Sequence, residues 1–305
     1  VSAPVLRLGT RASALALTQA GTVADALRAD GVDVVIVTVT TLGDRGAAVE
    51  DKSRWVSELE RALDDGRIDV AVHSAKDVPT ELADGMELVA VPVRADARDA
   101  LCGADGLHAL PSGARIGTAS LRRTAQINAT RDDLQVVELR GNVDSRLRKL
   151  AEGQVDALVL ALAGLQRLGR GDEATAIVDE FVPAAGQGAL ALEARAGEIA
   201  PGRLAAVRDP VAMACLTAER TLVHALGASC HTPVGAHARA LPGDGQQLEL
   251  DAWVGLPDGS QWLRDVVTGT PDEVGGACAE RMLAAGAREL LDRAEAEAEP
   301  TAGPV

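Results

Sequence analysis

The chain writes one short passage twice: "LGTRAS" at residues 8–13 and "IGTASLRR" at residues 116–123. Each follows a short apolar run, "PVLRLG" or "ARIG", that reads as a strand. Each leads into helical text, "TRASALALTQAGTVADALRADG" closed by Gly31 in the first copy and "TASLRRTAQINA" in the second. The likeness extends outward. "VDVVIVTVTTLGD", "SRWVSELERALDDG" and "RIDVAVHS" read as strand, helix and strand, and "KDVPTEL" leaves by a turn at Pro79. "LQVVELRG", "NVDSRLRKLAEG" and "QVDALVLALAG" repeat that order. Strand-helix-strand-helix-strand, twice, predicts two α/β lobes of similar topology. Ligands of such sheets collect at the carboxyl ends of strands, so a cleft between the lobes would be lined by the two copies of the junction.

"VPVRADARDA" near 91–100 and "PAAGQGALALEAR" near 183–195 read as the crossings between lobes. The Gly-rich second crossing suits either a hinge or a Gly-kinked buried strand. Beyond the helical text "RDPVAMACLTAERTLVHALG" the style changes. "TPVGAHARAL", "QQLELDAWVGL" and "QWLRDVVTG" read as antiparallel strands joined by "PGDG" and "PDGS", and a single last helix, "EVGGACAERMLAAGARELLDRA", follows. The expected units are a first lobe of 1–93 with 189–207, a second lobe of 97–184, an α+β domain of 210–293 with a small antiparallel sheet, and a frayed acidic tail at 294–305.

At 305 residues there is length for such domains, and with no Tyr, one Phe and three Trp the cores must be aliphatic. A net charge of −15 argues against a nucleic-acid partner. Any anionic ligand must be held by local cations working against that field. The start "VSAPVLRLGTRAS" carries no export signal, and no apolar run approaches a membrane span, so a cytoplasmic protein without a membrane partner is expected. The four cysteines lack the spacing of a disulfide framework or a zinc site, and no metal is expected.

Arg122, Arg123, Arg140 and Arg146 fall at strand ends and first helical turns of the second lobe, and Arg11 sits at the matching junction of the first. Helix N-termini attract anions, and arginine grips carboxylates with paired hydrogen bonds. The competing reading is solvated arginines paired with Asp132, Asp133 or Asp144. Lys76 and Asp77 stand where an apolar strand runs out; Asp77 reads as a proton handler or as a turn cap. Cys102, Cys215 and Cys278 lie in apolar text, whereas Cys230 lies in "GASCHTPVG", a turn-forming stretch. A His231–Cys230 dyad is weak, because neighbours on an extended chain point apart.

Taken together, "LGTRAS", "HSAKDVP", "GTASLRR", "LRGNVDSRL", "PAAGQGALALE" and "GASCHTPVGAHA" resemble, in order and spacing, the porphobilinogen deaminase family, also called hydroxymethylbilane synthases. The resemblance covers nearly the whole chain apart from the tail. It implies two lobes like those of periplasmic binding proteins plus a cysteine-bearing α+β domain. It also implies a transferase of tetrapyrrole and heme biosynthesis that joins four porphobilinogen molecules head to tail into hydroxymethylbilane, with release of ammonia. The primer would be a dipyrromethane cofactor attached to Cys230 through a thioether. By the same resemblance, Asp77 would be catalytic. Lys76, Asp77, Thr118, Ser120, Arg122, Arg123, Arg140 and Arg146 would hold the cofactor, and Arg11, Ser13, Arg140 and Arg146 the incoming substrate. The expected species is a monomer acting on a small molecule. Two places depart from the family pattern. "EDKSRW" replaces a glycine-rich mobile stretch, leaving Lys52 and Trp55 as lid candidates, and Ala119 stands where serine is common. Two other readings compete. A dicarboxylate-binding protein would explain the cleft but not Cys230, and a Cys/His metalloenzyme lacks ligand spacing.

Overall fold

The structure, a computed structural model, describes residues 4–39, 53–228, 232–243 and 247–298. Lys52, Cys230 and His231 lie outside the described residues.

The first lobe is built from β1 (Leu6–Arg11), α1 (Ala14–Ala29), β2 (Val34–Val39), α2 (Ser53–Asp64), β3 (Val70–Ser74) and β4 (Met86–Ala90). The second is built from β5 (Asp99–Cys102), β6 (Arg115–Thr118), α3 (Leu121–Thr130), β7 (Gln135–Glu138), α4 (Val143–Ala151), β8 (Ala157–Ala161), α5 (Leu162–Arg167) and β9 (Ala176–Val178). Strand β10 (Leu190–Arg195) returns to the first. Trp55 falls within α2. The two sheets have one topology: β2-β1-β3-β10-β4 and β7-β6-β8-β5-β9. In each, three parallel strands are extended by an antiparallel one delivered by a crossing, β10 beside β3 in one and β5 beside β8 in the other. Both predicted crossings therefore end as buried strands. The text "QVDALVLALAG" also differs from expectation. Its strand stops at Ala161 and α5 begins at once.

The duplicated junction is a packing solution. Leu6 and Leu8 of β1 are buried against Ala20, Val23, Ala24 and Leu27 of α1. The next residue, Gly9, faces the other way, where a side chain would press into Ile68. Its counterpart Gly117 follows buried Ile116, and a Cβ there would lie 2.7 Å from Leu158 Cδ2. The third residue of the shared motif, Thr10 or Thr118, is buried in both lobes.

The C-terminal domain comprises α6 (Pro210–Ala225), β11 (Val234–Ala240), β12 (Leu248–Gly255), β13 (Trp262–Gly269), α7 (Val274–Ala284) and α8 (Ala287–Ala298). The strands form an antiparallel sheet in order β11-β12-β13. Leu222, Ala236, Leu250, Val274, Cys278 and Met282 share its core with α6 and α7. The last helix expected from the sequence is two, broken at Gly286, whose φ of 100° suits glycine. Helix α8 then continues to Ala298, into the stretch expected to fray. Two seams tie this domain to the lobes. Trp253 packs against Ala125 and Val182, and Ala212 and Leu216 of α6 pack on Ala75 and Val78.

Candidate functional site

The site is assembled where strands of both lobes end. Asp209 caps α6, and Ser13 and Ser120 cap α1 and α3 in the same manner, accepting from Ala16 N at 3.3 Å and Arg123 N at 3.4 Å. A capping hydroxyl still has its own hydrogen to donate. Thr118 Oγ1 accepts from Ser120 N at 3.2 Å, which fixes the turn between strand and helix.

Arg122 and Arg123 are buried, and neither Asp132, Asp133 nor Asp144 is their partner. Asp133 pairs with Arg131, and Asp144 with Arg170. The partner is Asp99, the first residue of β5. Its Oδ2 accepts from Arg122 Nη2 at 2.8 Å, and its Oδ1 accepts from Arg123 Nε at 3.0 Å and Nη2 at 2.7 Å. Arg122 also donates to Val182 O, and Arg123 to Val159 O. Burial would raise the Asp99 pKa. The charges of Arg122 and Arg123, with a hydrogen bond from Gln187, outweigh it and hold the carboxyl well below the usual range.

One acid for two arginines leaves a positive balance, and Arg146 adds to it. Its Nε is buried without a hydrogen-bond partner among the described residues. Burial, and then the charge of Arg123, lower its pKa to about 10. Arg167, at the end of α5, is likewise lowered by burial and donates to Gly188 O at 2.7 Å. Among the described residues no carboxylate forms an ion pair with Arg146 or Arg167. Desolvated cations lacking acids are costly, and a chain with net charge −15 has carboxylates to spare. The arrangement is that of a receptor for an anionic ligand. Arg140 is placed differently. It is exposed, and its Nε donates to Glu138 Oε1 at 2.6 Å.

From the first lobe, Arg11 ends β1, half-buried. Ser74 ends β3 and exchanges hydrogen bonds with Gln19. Lys76 and Asp77 follow in a single 3₁₀ turn, Ala75–Asp77. Arg220 of α6 donates to Val78 O at 3.2 Å and Thr80 O at 3.0 Å, pinning the chain just past Asp77. Lys76 Nζ donates to Gln187 Oε1 at 3.4 Å, and Arg123 Nη2 donates to the same oxygen at 3.5 Å. The Lys76–Asp77 turn and the arginine cluster, remote in sequence, thus meet across one buried side chain.

Beneath the site the crossings are tied to the C-terminal domain. Arg94 of the first crossing forms a bidentate pair with fully buried Glu219 of α6, at 2.5 and 3.2 Å. Glu219 also accepts from Gly186 N of the second crossing and Ala238 N of β11. Sequence reasoning missed Asp99, Gln187, Arg167 and the Arg94–Glu219 pair. The usable signals were an acid opening the apolar run "DALC" and a glutamine set between two glycines.

The other three thiols behave as packing groups. Burial pushes Cys102 and Cys215 up to about 11 and Cys278 up to about 12. Among the described residues no cluster of His, Cys, Asp and Glu is arranged to hold a metal, and no helix is long and apolar enough to cross a membrane.

Comparison with known proteins decides the family. The domain described as "Porphobilinogen deaminase, dipyromethane cofactor binding domain" matches residues 6–200, and "Porphobilinogen deaminase, C-terminal domain" matches 213–284. The chain belongs to the porphobilinogen deaminase family. Relatives carrying that name include one from Roseiflexus castenholzii, 46% identical over 94% of this chain and 98% of its own. Another, from Deinococcus deserti, is 44% identical with the same coverage, 94% and 98%. A third, from Acidothermus cellulolyticus, is 45% identical over 97% of this chain and 94% of its own. Among solved structures, a nutrient binding protein from Burkholderia cenocepacia bound to methionine aligns with 67% of this chain and 92% of its own, at 15% identity and a TM-score of 0.43.

Proposed function

We propose that this site is where the chain, a transferase of the porphobilinogen deaminase family, polymerises porphobilinogen head to tail into hydroxymethylbilane with release of ammonia. The observation that carries the reading is the excess of cations over acids in the second lobe: buried Arg122 and Arg123 share Asp99, and half-buried Arg146 forms no ion pair among the described residues. Each pyrrole of the substrate and product bears an acetate and a propionate, so a lengthening chain brings the missing carboxylates. The same excess fits the dipyrromethane that the family's cofactor-binding domain takes.

Arg123, Arg146 and Lys76 hold its carboxylates, with hydrogen bonds from Thr118 and Ser120. Arg122, whose Nη atoms reach Asp99 and Val182, supports that grip from behind. Arg11 and Ser13 receive the incoming porphobilinogen, and Arg146 serves substrate as well as cofactor. Arg140 joins them by exchanging Glu138 for a ligand carboxylate. When bound, dipyrromethane supplies the pyrrole terminus to which new units are added, and Cys230 carries it as a thioether. Asp77 faces the positive charge that develops on pyrrole nitrogens as ammonia leaves, and takes up and returns the protons of the step. The protein works as a monomer in the cytoplasm.

Intact-mass measurement tests the reading. The purified protein is expected to be heavier than its sequence by two pyrrole units, and Cys230→Ser is expected to lose that mass together with turnover. A protein that is fully active at its bare sequence mass overturns the assignment of Cys230.

A further inference from the structure

Gln187 is the point where the two lobes share one hydrogen-bonding group. It is 1% exposed. Its Nε2 donates to Ala97 O at 2.7 Å and Asp99 Oδ1 at 2.8 Å, two atoms that only accept. The amide is therefore oriented, and its Oε1 is the end that meets Lys76 Nζ at 3.4 Å and Arg123 Nη2 at 3.5 Å. The backbone around it is fixed as well. Gln187 O accepts from Arg94 Nε at 2.9 Å, and Gly188 O accepts from Ala95 N at 3.2 Å. Gly186 and Gly188 have φ of 72° and 84°, and a Cβ on Gly186 would lie 2.8 Å from the Ala75 carbonyl carbon. The residue cannot back away from the Lys76–Asp77 turn.

We propose that Gln187 is a positioning residue whose Oε1, oriented by Asp99 and Ala97, sets the spacing between Lys76 of the first lobe and Arg123 of the second. Arg123 is already fixed by Asp99 and Val159 O, so the shared acceptor sets where Lys76 stands relative to it. With it, the two cations stand side by side on one oxygen, and the Lys76–Asp77 turn is tied to the arginine cluster. The inference rests on the assignment of the site given above.

Two variants test it. Gln187→Met keeps the volume and removes every hydrogen bond. It is expected to fold, to carry the Cys230-linked mass, and to lose about tenfold or more in kcat/KM. Gln187→Glu keeps one oxygen toward Lys76 and Arg123, whose charges favour the carboxylate, and sets the other against Asp99 and Ala97 O, where only the protonated acid can donate. Its activity relative to wild type is therefore expected to climb as pH falls through the pKa of the new acid, while Gln187→Met stays flat. A folded Gln187→Met with wild-type kcat/KM overturns the proposal. So does a loss accounted for by unfolded protein alone, with wild-type pH profiles in both variants. If wild-type protein lacks the added pyrrole mass, it is the Cys230 assignment that fails, a separate result read from the same spectra.

Discussion

The two lobes share a frame and spend it differently. After the capping serine, the first lobe places Ala14, Leu15 and Ala16 and the second places Leu121, Arg122 and Arg123. At the end of the third parallel strand the roles reverse. The first lobe has Lys76 and Asp77 in a short turn, and the second has the apolar start of α5. In the proposed function, equivalent strand ends thus became a proton-handling turn on one side and an anion receptor on the other. The lesson is physical. A carboxylate that must take and give protons works poorly inside the same cluster of arginines that binds the ligand, because those charges would hold its pKa low, as they do for Asp99. Placing the arginines of the cluster on the other lobe leaves Lys76 as the cation adjoining Asp77 in its turn.

The strongest way to break that comparison is to disable the proton-handling lobe alone. Asp77→Asn keeps the shape and removes the charge. Turnover of porphobilinogen is expected to fall by about 10²–10⁴-fold, the usual worth of a positioned acid–base group, with the fold and the cofactor-bearing mass retained. Normal turnover in this variant means that the first lobe does not carry the chemistry.

The receptor lobe is probed at Arg146. Its pKa is lower in the folded protein, about 10, than the ordinary value of 12.5. The folded state therefore binds this proton less tightly than the unfolded one does. Because arginine keeps its proton throughout the range in which proteins stay folded, the desolvated charge opposes folding across that range. Arg146→Leu is accordingly expected to leave the melting temperature unchanged or raised, while KM for porphobilinogen rises about tenfold. A lower melting temperature with an unchanged KM shows Arg146 to be a structural residue and removes it from the receptor.

Much of this was legible in the sequence, for definable reasons. The lobes follow from local signals: alternation of strand and helix text, capping serines, and glycines that close helices. The strand-end positions of Arg123, Arg146 and Asp77 follow from the same signals. What stayed hidden depends on pairing between distant segments. Nothing near Asp99 says that β5 lies antiparallel beside β8, where its carboxylate reaches α3. Nor does "GQG" show that its glutamine bridges Lys76 and Arg123. The split of the last helix at Gly286 was missed because helical text on both sides of one glycine reads as continuous, and only the φ of 100° breaks it.

The smallest expected effect tests whether the shared frame is a matter of packing. Gly9 and Gly117 occupy one place in the repeat, and neither needs a positive φ. At both, the missing side chain leaves room for a neighbour in or beside the adjoining strands. Alanine at either position is expected to destabilise by about 1–3 kcal/mol through overpacking. The costs should differ. Gly9 faces the Ile68 side chain, with its flexible tip closest, whereas Gly117 is enclosed by Leu158, Leu139 and Val155. One tip can rotate aside, but three converging side chains cannot, so Gly117→Ala should lower the urea midpoint more than Gly9→Ala. Activity per folded molecule should change little in either, since both glycines sit behind the site. If the order is reversed, backbone adjustment and not side-chain crowding sets the two junctions, and the lobes are less alike than their strand order implies.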